Sequence, residues 1–299
     1  MSHAPARLDV RVVAIGGGHG LAATLQAVRR YASDITAVVS VADDGGSSGR
    51  LREGLAMPAP GDLRRCLHAL ADPGSTLGAA LEYRFPSGDL AGHALGNLLI
   101  AGLAEAAGGF VAALDEVARV VGAVGRVLPA TAEPVTLLAD SAGAPRVEGQ
   151  VAVQNTAGIR RLTVHPTRPV TPAEVVTAIE QADQVVLGPG SLFTSVLAAA
   201  IVPAVLGALS ASRAPKVYVC NLRQEHPETE GFTALDHATA LVAHGVPIDV
   251  MVCHPGQLSC PTGDRHRSLA VRCIERKVAD GDAVVHDPAR LATVLAELL

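Results

Sequence analysis

Two stretches put anion-binding chemistry close together in the chain: Gly16-Gly17-Gly18-His19-Gly20 and Ala42-Asp43-Asp44-Gly45-Gly46-Ser47-Ser48-Gly49-Arg50. Glycines leave no side chains in the way and accept positive φ, so backbone N–H groups can converge on a phosphate. Gly18-His19-Gly20-Leu21-Ala22-Ala23 also fits the dinucleotide pattern G-x-G-x-x-G/A. The same residues would equally serve a tight strand-to-helix turn with no ligand. In the second stretch Asp43 and Asp44 stand beside Ser47, Ser48 and Arg50, a set suited to a phosphorylated ligand and a metal. The plainer alternative is a polar turn in which the two carboxylates cap Gly45 and Gly46. A third stretch, Gly188-Pro189-Gly190-Ser191-Leu192-Phe193-Thr194-Ser195, repeats the glycine and hydroxyl theme. It reads either as a ligand loop or as a Gly-Pro turn whose Ser191 caps the next helix.

Each stretch follows a run that must be a strand. Val12 to Ile15, Ile35 to Val41 and Gln184 to Leu187 are short, apolar and rich in β-branched residues, the pattern of strands buried on both faces of a parallel sheet. Helical periodicity follows at Leu21 to Tyr31 and Leu63 to Ala71, the latter with Asp62 placed to cap it. Further helices are predicted at Leu77 to Tyr83, Ala94 to Ala107 and Phe110 to Val121, as a cap over the sheet. Asn97, at the start of the second of these, is a helix-end hydrogen-bonder or a ligand contact. Val127 to Val164 reads as a meander of short strands without evident chemistry, with turns at Ala142-Gly143-Ala144 and Thr156-Ala157-Gly158. Alternation then resumes, with helices at Pro172 to Asp183, Val202 to Ala211, Thr233 to His244 and Pro288 to Leu299, and strands at Val217 to Cys220 and Val250 to Cys253. The predicted fold is α/β, a Rossmann-like, doubly wound and mainly parallel sheet with a helical insertion over about 60–125 in one domain of residues 10–299. Residues 1–9 are expected to form a loose tail. In such a sheet ligands sit outside the C-terminal strand ends, so the three loops should line one crevice.

Composition narrows the possible partners. At 299 residues and 49% hydrophobic content the chain can bury a large core. A net charge of -5 with 2% aromatic residues argues against a nucleic-acid surface. No apolar run approaches a bilayer span and no basic and apolar leader precedes the first strand, so membrane insertion is not expected and a cytoplasmic location is. The lysines are Lys216 and Lys277, which excludes a G-x-x-x-x-G-K-[ST] loop and leaves Lys216 a poor Schiff-base residue. Cys66, Cys220, Cys253, Cys260 and Cys273 contain no C-x-x-C pair, so reduced thiols are expected rather than zinc ligands or disulfides.

AIGGGHGL, VVSVADDGGSSGRLR, PGDLRRCLHALAD, GHALGNLL, VLGPGSLFTSV and VYVCN, followed by ETEGFTALDHATAL, together resemble the gluconeogenesis (morphogenesis) factor family of bacteria, the YvcK-like proteins. That family is sister to the CofD-like 2-phospho-L-lactate transferases. The resemblance covers nearly the whole chain. It implies a regulatory protein that binds a nucleotide sugar of the UDP-glucose or UDP-N-acetylglucosamine type and supports cell shape and wall synthesis during gluconeogenic growth. By motif, the pyrophosphate contacts fall on Gly17, Gly18, His19, Gly20, Gly188, Gly190, Ser191 and Thr194. Asp44 and Asp62 match acidic positions near the transferase's reacting phosphate and are the expected Mg²⁺ ligands, while Asn97 matches a pocket position. His19 departs from the threonine of most relatives, which puts its side-chain contact in doubt but not its backbone contact.

The alternative function is a transferase moving a phosphoryl-containing group from a nucleotide to an acceptor hydroxyl. An NAD-dependent oxidoreductase rests only on the glycine pattern and lacks a hydride-transfer partner. The expected partners are a UDP-sugar or related nucleotide, further copies of the chain and a downstream protein that the sequence does not name.

Overall fold

In the computed structural model, which describes residues 8–142, 145–256, 258–260, 269–280 and 284–299, the β-branched runs become strands of a parallel sheet. The chain opens β1 (Leu8–Gly16), α1 (Gly18–Val28), β2 (Ala32–Val39), then α2 (Gly46–Leu55), α3 (Gly61–Leu70), α4 (Thr76–Ala80), α5 (Leu95–Ala106) and α6 (Phe110–Val121). Next come β3 (Arg126–Pro129), β4 (Thr136–Ser141), β5 (Val147–Glu148), α7 (Gln150–Gln154) and β6 (Ile159–His165). After α8 (Ala173–Gln181) and β7 (Gln184–Leu187), a π-helical segment, Leu192–Leu197, runs into α9 (Ala198–Ala200). The chain ends α10 (Pro203–Ala211), β8 (Lys216–Val219), α11 (Ala234–Ala243), β9 (Val250–Cys253), β10 (Arg272–Glu275) and α12 (Pro288–Ala296).

The main sheet has the order β10-β9-β8-β7-β1-β2-β3, with every pair parallel. The chain therefore builds outward from β1 to β3, crosses back, and builds outward the other way from β7. Right-handed crossovers in opposite directions put helices on both faces, which makes the sheet doubly wound. The order in which the chain adds strands reverses between β1 and β7, which are themselves parallel. Both strands are buried where they pair, from Val12 to Ile15 and from Gln184 to Leu187, as a sheet covered on both faces requires.

The sequence expectations differ from the structure at identifiable points. Leu8 and Asp9, placed in the tail, belong to β1; residues 1–7 lie outside the described residues. The expected meander divides: β3 joins the edge of the main sheet, whereas β4, β5 and β6 form a separate antiparallel sheet interrupted by α7. Gly143 and Ala144 of the expected turn lie outside the described residues. The helices α3 to α6 occupy Gly61–Val121 between β2 and β3, and β10 had no counterpart among the predicted strands. No single helix among the described residues is long and apolar enough to cross a membrane; only the bent pair Leu192–Ala200 and Pro203–Ala211, at 73°, passes on length and composition. Lys216, the first residue of β8, is buried with its Nζ donating to the Ser212 carbonyl at 2.6 Å, a structural role.

Candidate functional site

At the switch point the strand ends open into a crevice of about 520 Å³. One wall is the first turn of α1. Gly17 precedes it in extended conformation (φ -169°) and offers no side-chain cap, so the first-turn N–H groups face the crevice. Gly18 takes φ +65°, the left-handed region that lets the chain turn from strand into helix without strain. The helix dipole and these N–H groups together favour an anion.

The opposite lip is the β7 loop, with Pro189, Gly190, Ser191, Thr194 and Ser195 on the crevice. It is tied to the rest of the fold from three sides. Thr24 Oγ1 of α1 donates to the Gly188 carbonyl at 2.7 Å, the Gly190 N–H donates to Asn221 Oδ1 at 3.0 Å, and the Thr194 N–H donates to Glu228 Oε1 at 2.9 Å. Gly188 itself is buried behind the lip, its N–H donating to the Ile15 carbonyl at 2.9 Å while its carbonyl accepts from Thr24. Ser191 begins the π-helical segment with its backbone carbonyl, not its hydroxyl, accepting from the Ser195 and Val196 N–H groups. Its hydroxyl therefore does not cap that segment.

Gly20 is required by the meeting of these two walls. A Cβ built there would fall 2.6 Å from the carbonyl carbon of Pro189 and 2.9 Å from the Gly190 nitrogen, both backbone atoms. The spacing G-x-G thus reports close packing of α1 on the β7 loop as well as access for a ligand.

The second loop divides between two roles. Asp43 lines the crevice and accepts the Gly45 N–H at 3.0 Å. Asp62, in the first turn of α3, also lines it, with a side chain 15% exposed and ion-paired to Arg65 at 2.6 Å. It is not the cap expected from the sequence: the N-cap of α3 is Pro60, and the carboxylate points instead at the Gly18 N–H. Burial holds the Asp62 carboxyl above its ordinary range against the opposing pull of Arg65, and Asp43 adds to the upward shift. Two carboxylates beside a helix N-terminus suit a ligand that brings both phosphate and cation.

Asp44, Ser47, Ser48, Arg50 and Asn97 lie outside the crevice. Asp44 accepts the Gln150 and Val151 N–H groups at 2.9 and 3.0 Å, so both oxygens cap α7 from a distant part of the chain and do not line the crevice beside Asp43 and Asp62. Gly46 to Arg50, read as part of a loop, are the first turns of α2. Ser47 Oγ meets His93 Nδ1 at 3.0 Å and accepts from Asn97 Nδ2 at 3.1 Å, while Arg50 donates to the Ala91 carbonyl at 3.0 Å. Asn97 in turn faces Arg64, which is 1% exposed and makes two bonds of 3.1 Å to Glu82. Ser48 is buried against Gly61. These side chains join α2 to the helical insertion. His19 is exposed on the first turn of α1 at the crevice mouth.

Sequence reasoning passed over residues from five segments of the chain. Ser40, Arg65, Gln150, Gln154, Asn221, Arg223, Glu225 and His286 all line the crevice. Asn221 had a signal, because it directly follows an apolar strand and shares the sheet's C-terminal edge. The Gln150 and Gln154 contribution had none, since it depends on α7 being carried over the crevice by Asp44. His286 Nε2 lies 3.2 Å from the Cys220 carbonyl; burial pushes its pKa down to about 4, so it is neutral and a weak proton acceptor near pH 7.

A pair of variants separates the two aspartates. Asp44→Asn replaces one acceptor with a donor facing an N–H and is expected to lower unfolding free energy by about 1–2 kcal/mol with little change in ligand affinity. Asp62→Asn is expected to change affinity while leaving stability nearly unaltered. Urea unfolding and ligand titration of both proteins measure this, and equal affinity losses in the two would reject the assignment.

Comparison with known proteins places the chain in a family. Residues 12–292 match a family model described as 2-phospho-L-lactate transferase CofD. A protein of Mycobacterium tuberculosis (strain ATCC 25618 / H37Rv) with a provisional gluconeogenesis-factor name is 43% identical over 95% of this chain and 89% of its own length. The gluconeogenesis factor of Halalkalibacterium halodurans is 41% identical over 81% of this chain and 76% of its own. The crystal structure of a UPF0052-family protein from Bacillus halodurans superposes with a TM-score of 0.90 at 34% identity, covering 97% of this chain and all (100%) of that one. By sequence over most of its length and by fold, the chain belongs to the gluconeogenesis factor family, within the wider CofD family.

Proposed function

We propose that the crevice binds a nucleotide sugar of the UDP-glucose or UDP-N-acetylglucosamine type through its pyrophosphate, and that the protein acts as a regulator without turnover. The observation that carries this reading is the meeting of the α1 N-terminus with the Gly190 to Ser195 lip at the switch point of the sheet. Its polar lining and volume suit an anionic ligand with a polar remainder. A role in cell shape and wall synthesis under gluconeogenic growth rests on the family resemblance, of which the names of the relatives carry the gluconeogenesis part alone. A cytoplasmic location and self-association belong to the same proposal.

A panel of UDP-sugars, UDP and NAD in thermal-shift titrations tests it. At about 100 times its dissociation constant a ligand bound only by the folded state adds roughly 2.7 kcal/mol. That corresponds to a rise in Tm of roughly 5–10 °C for a domain of this size. A shift with NAD and none with any UDP-sugar would replace the reading with the oxidoreductase.

The Asp43 and Asp62 pair favours one alternative, a transferase of the kind that names the matching family model. A divalent cation would be held by these two carboxylates and would neutralise phosphate charge. Asp44, whose oxygens accept two N–H groups of α7, does not line the crevice with them. Incubation with Mg²⁺, a UDP-sugar and a hydroxyl acceptor is expected to yield no product above background. Multiple turnovers abolished by Asp62→Asn would establish the transferase instead.

A further inference from the structure

Away from the crevice, on the far edge of the sheet, three thiols come together from parts of the chain with no recognisable metal-binding spacing. Cys253 ends β9 and Cys273 lies on the neighbouring β10. In their parallel register Cys253 pairs with Glu275 and Met251 with Cys273, so the two cysteines share one face of the sheet two positions apart. Cys260 returns over that face from the segment after β9, its N–H donating to Glu275 Oε2 at 3.3 Å. All three sulfurs lie within 4.8 Å of one another, and Cys253 Sγ and Cys273 Sγ are 3.8 Å apart.

That separation discriminates between the chemistries open to thiols. A disulfide needs sulfurs about 2.05 Å apart and leaves a third thiol without a role. A tetrahedral ion with metal–sulfur bonds of about 2.3 Å spaces its ligands about 3.8 Å apart. Thiolates select soft and borderline cations. Cys253 is buried whereas Cys260 and Cys273 are partly exposed, so a fourth coordination position would face solvent.

We propose that Cys253, Cys260 and Cys273 form a binding site for a thiolate-preferring cation of the Zn²⁺ type, which ties the segment after β9 to the edge strand β10. Loading exchanges three thiol protons for one divalent cation and involves no change of oxidation state. None of the three cysteines lines the nucleotide crevice, and the proposal stands whether or not that reading holds.

The full chain, reduced and stripped with chelator, is titrated with Co²⁺ and then Zn²⁺. The expected result is a thiolate-to-cobalt charge-transfer band that saturates at one ion per chain and disappears on adding Zn²⁺. Cys260→Ser is expected to weaken binding roughly tenfold or more, because even losing an outer hydrogen bond to a ligand costs that much. Cys66→Ala, on the buried face of α3, is expected to leave the titration unchanged. Should the serine variant not fold, protection of Cys260 and Cys273 from alkylation by Zn²⁺ in the unaltered chain gives the same answer. A titration without the charge-transfer band, equal affinity in Cys260→Ser, or a Cys253–Cys273 disulfide that persists in the purified chain would overturn the proposal.

Discussion

A Gly20→Ala variant is expected to lose both stability and ligand affinity, by about 1–3 kcal/mol in unfolding free energy and at least tenfold in binding. The added methyl meets the Pro189 carbonyl and the Gly190 nitrogen, which belong to backbone and cannot swing away. Relief requires α1 to move off the β7 loop, and those are the two walls between which a pyrophosphate would be held. The loss of affinity therefore accompanies the loss of stability. Gly102→Ala provides the contrast, because Gly102 is exposed within α5 and a Cβ there meets nothing within 4 Å. It should stabilise by about 0.5–1 kcal/mol, the usual gain from replacing glycine inside a helix. Denaturant unfolding and calorimetric titration with a UDP-sugar measure all of these. If Gly20→Ala proved as stable as the parent and bound as well, the close approach of the two walls would have no energetic weight.

Glu228→Gln is expected to raise stability at pH 8 and to flatten its pH dependence above pH 6.5. Glu228 is 1% exposed, and burial followed by repulsion from Glu225 pushes its pKa up to about 8. One oxygen accepts the Thr194 N–H; the other, like Thr194 Oγ1, is buried without a hydrogen-bond partner. The folded chain keeps a proton on this group up to about pH 8, while the unfolded chain releases it near the ordinary glutamate value of about 4.3. Between those values the native state binds more protons, so stability falls as pH rises.

His237 and His286 act oppositely. Burial lowers both to about 4, so their contribution rises with pH between about 4 and 6.5 and is complete above that. From about pH 6.5 to 8 the histidine contribution is already complete, and the cost of Glu228 there amounts to about 2 kcal/mol. Glutamine keeps the acceptor for the Thr194 N–H and removes the ionisation. Unfolding free energies of both proteins at pH 6.5 and pH 8 check the sign, and parallel slopes would show that Glu228 ionises freely. Because Glu228 holds the backbone of the crevice lip, ligand affinity should track the same titration.

What could be read along the chain was local. The runs Val12 to Ile15, Gln184 to Leu187 and Val250 to Cys253 announced buried parallel strands, because a strand covered on both faces is apolar wherever a buried side chain has no hydrogen-bond partner, Gln184 being held by Tyr31 Oη and the Leu295 carbonyl. Helix α6 matched its predicted limits at Phe110 and Val121, since its apolar residues follow the helical period and Gly122, at φ +65°, ends it. Glycines after strands marked the sheet's C-terminal edge, and that was enough to anticipate a crevice at the reversal of strand order.

Which side chains turn into the crevice was decided by tertiary contacts that no local pattern encodes. Asp43 and Asp44 are neighbours of the same type, yet one lines the crevice and the other caps α7, because α7 arrives at Asp44 from more than a hundred residues away. Ser47, Arg50 and Asn97 had suitable ligand chemistry, but α2 packs on α5 and on the turn that precedes it, and the bonds are made there. Cys253, Cys260 and Cys273 showed no metal-binding spacing, since the register of β9 against β10 sets the distance between their sulfurs. Asn221 and Glu228 gained their roles only when β8 was laid beside β7, bringing their oxygens to N–H groups of the crevice lip that local secondary structure had left unpaired.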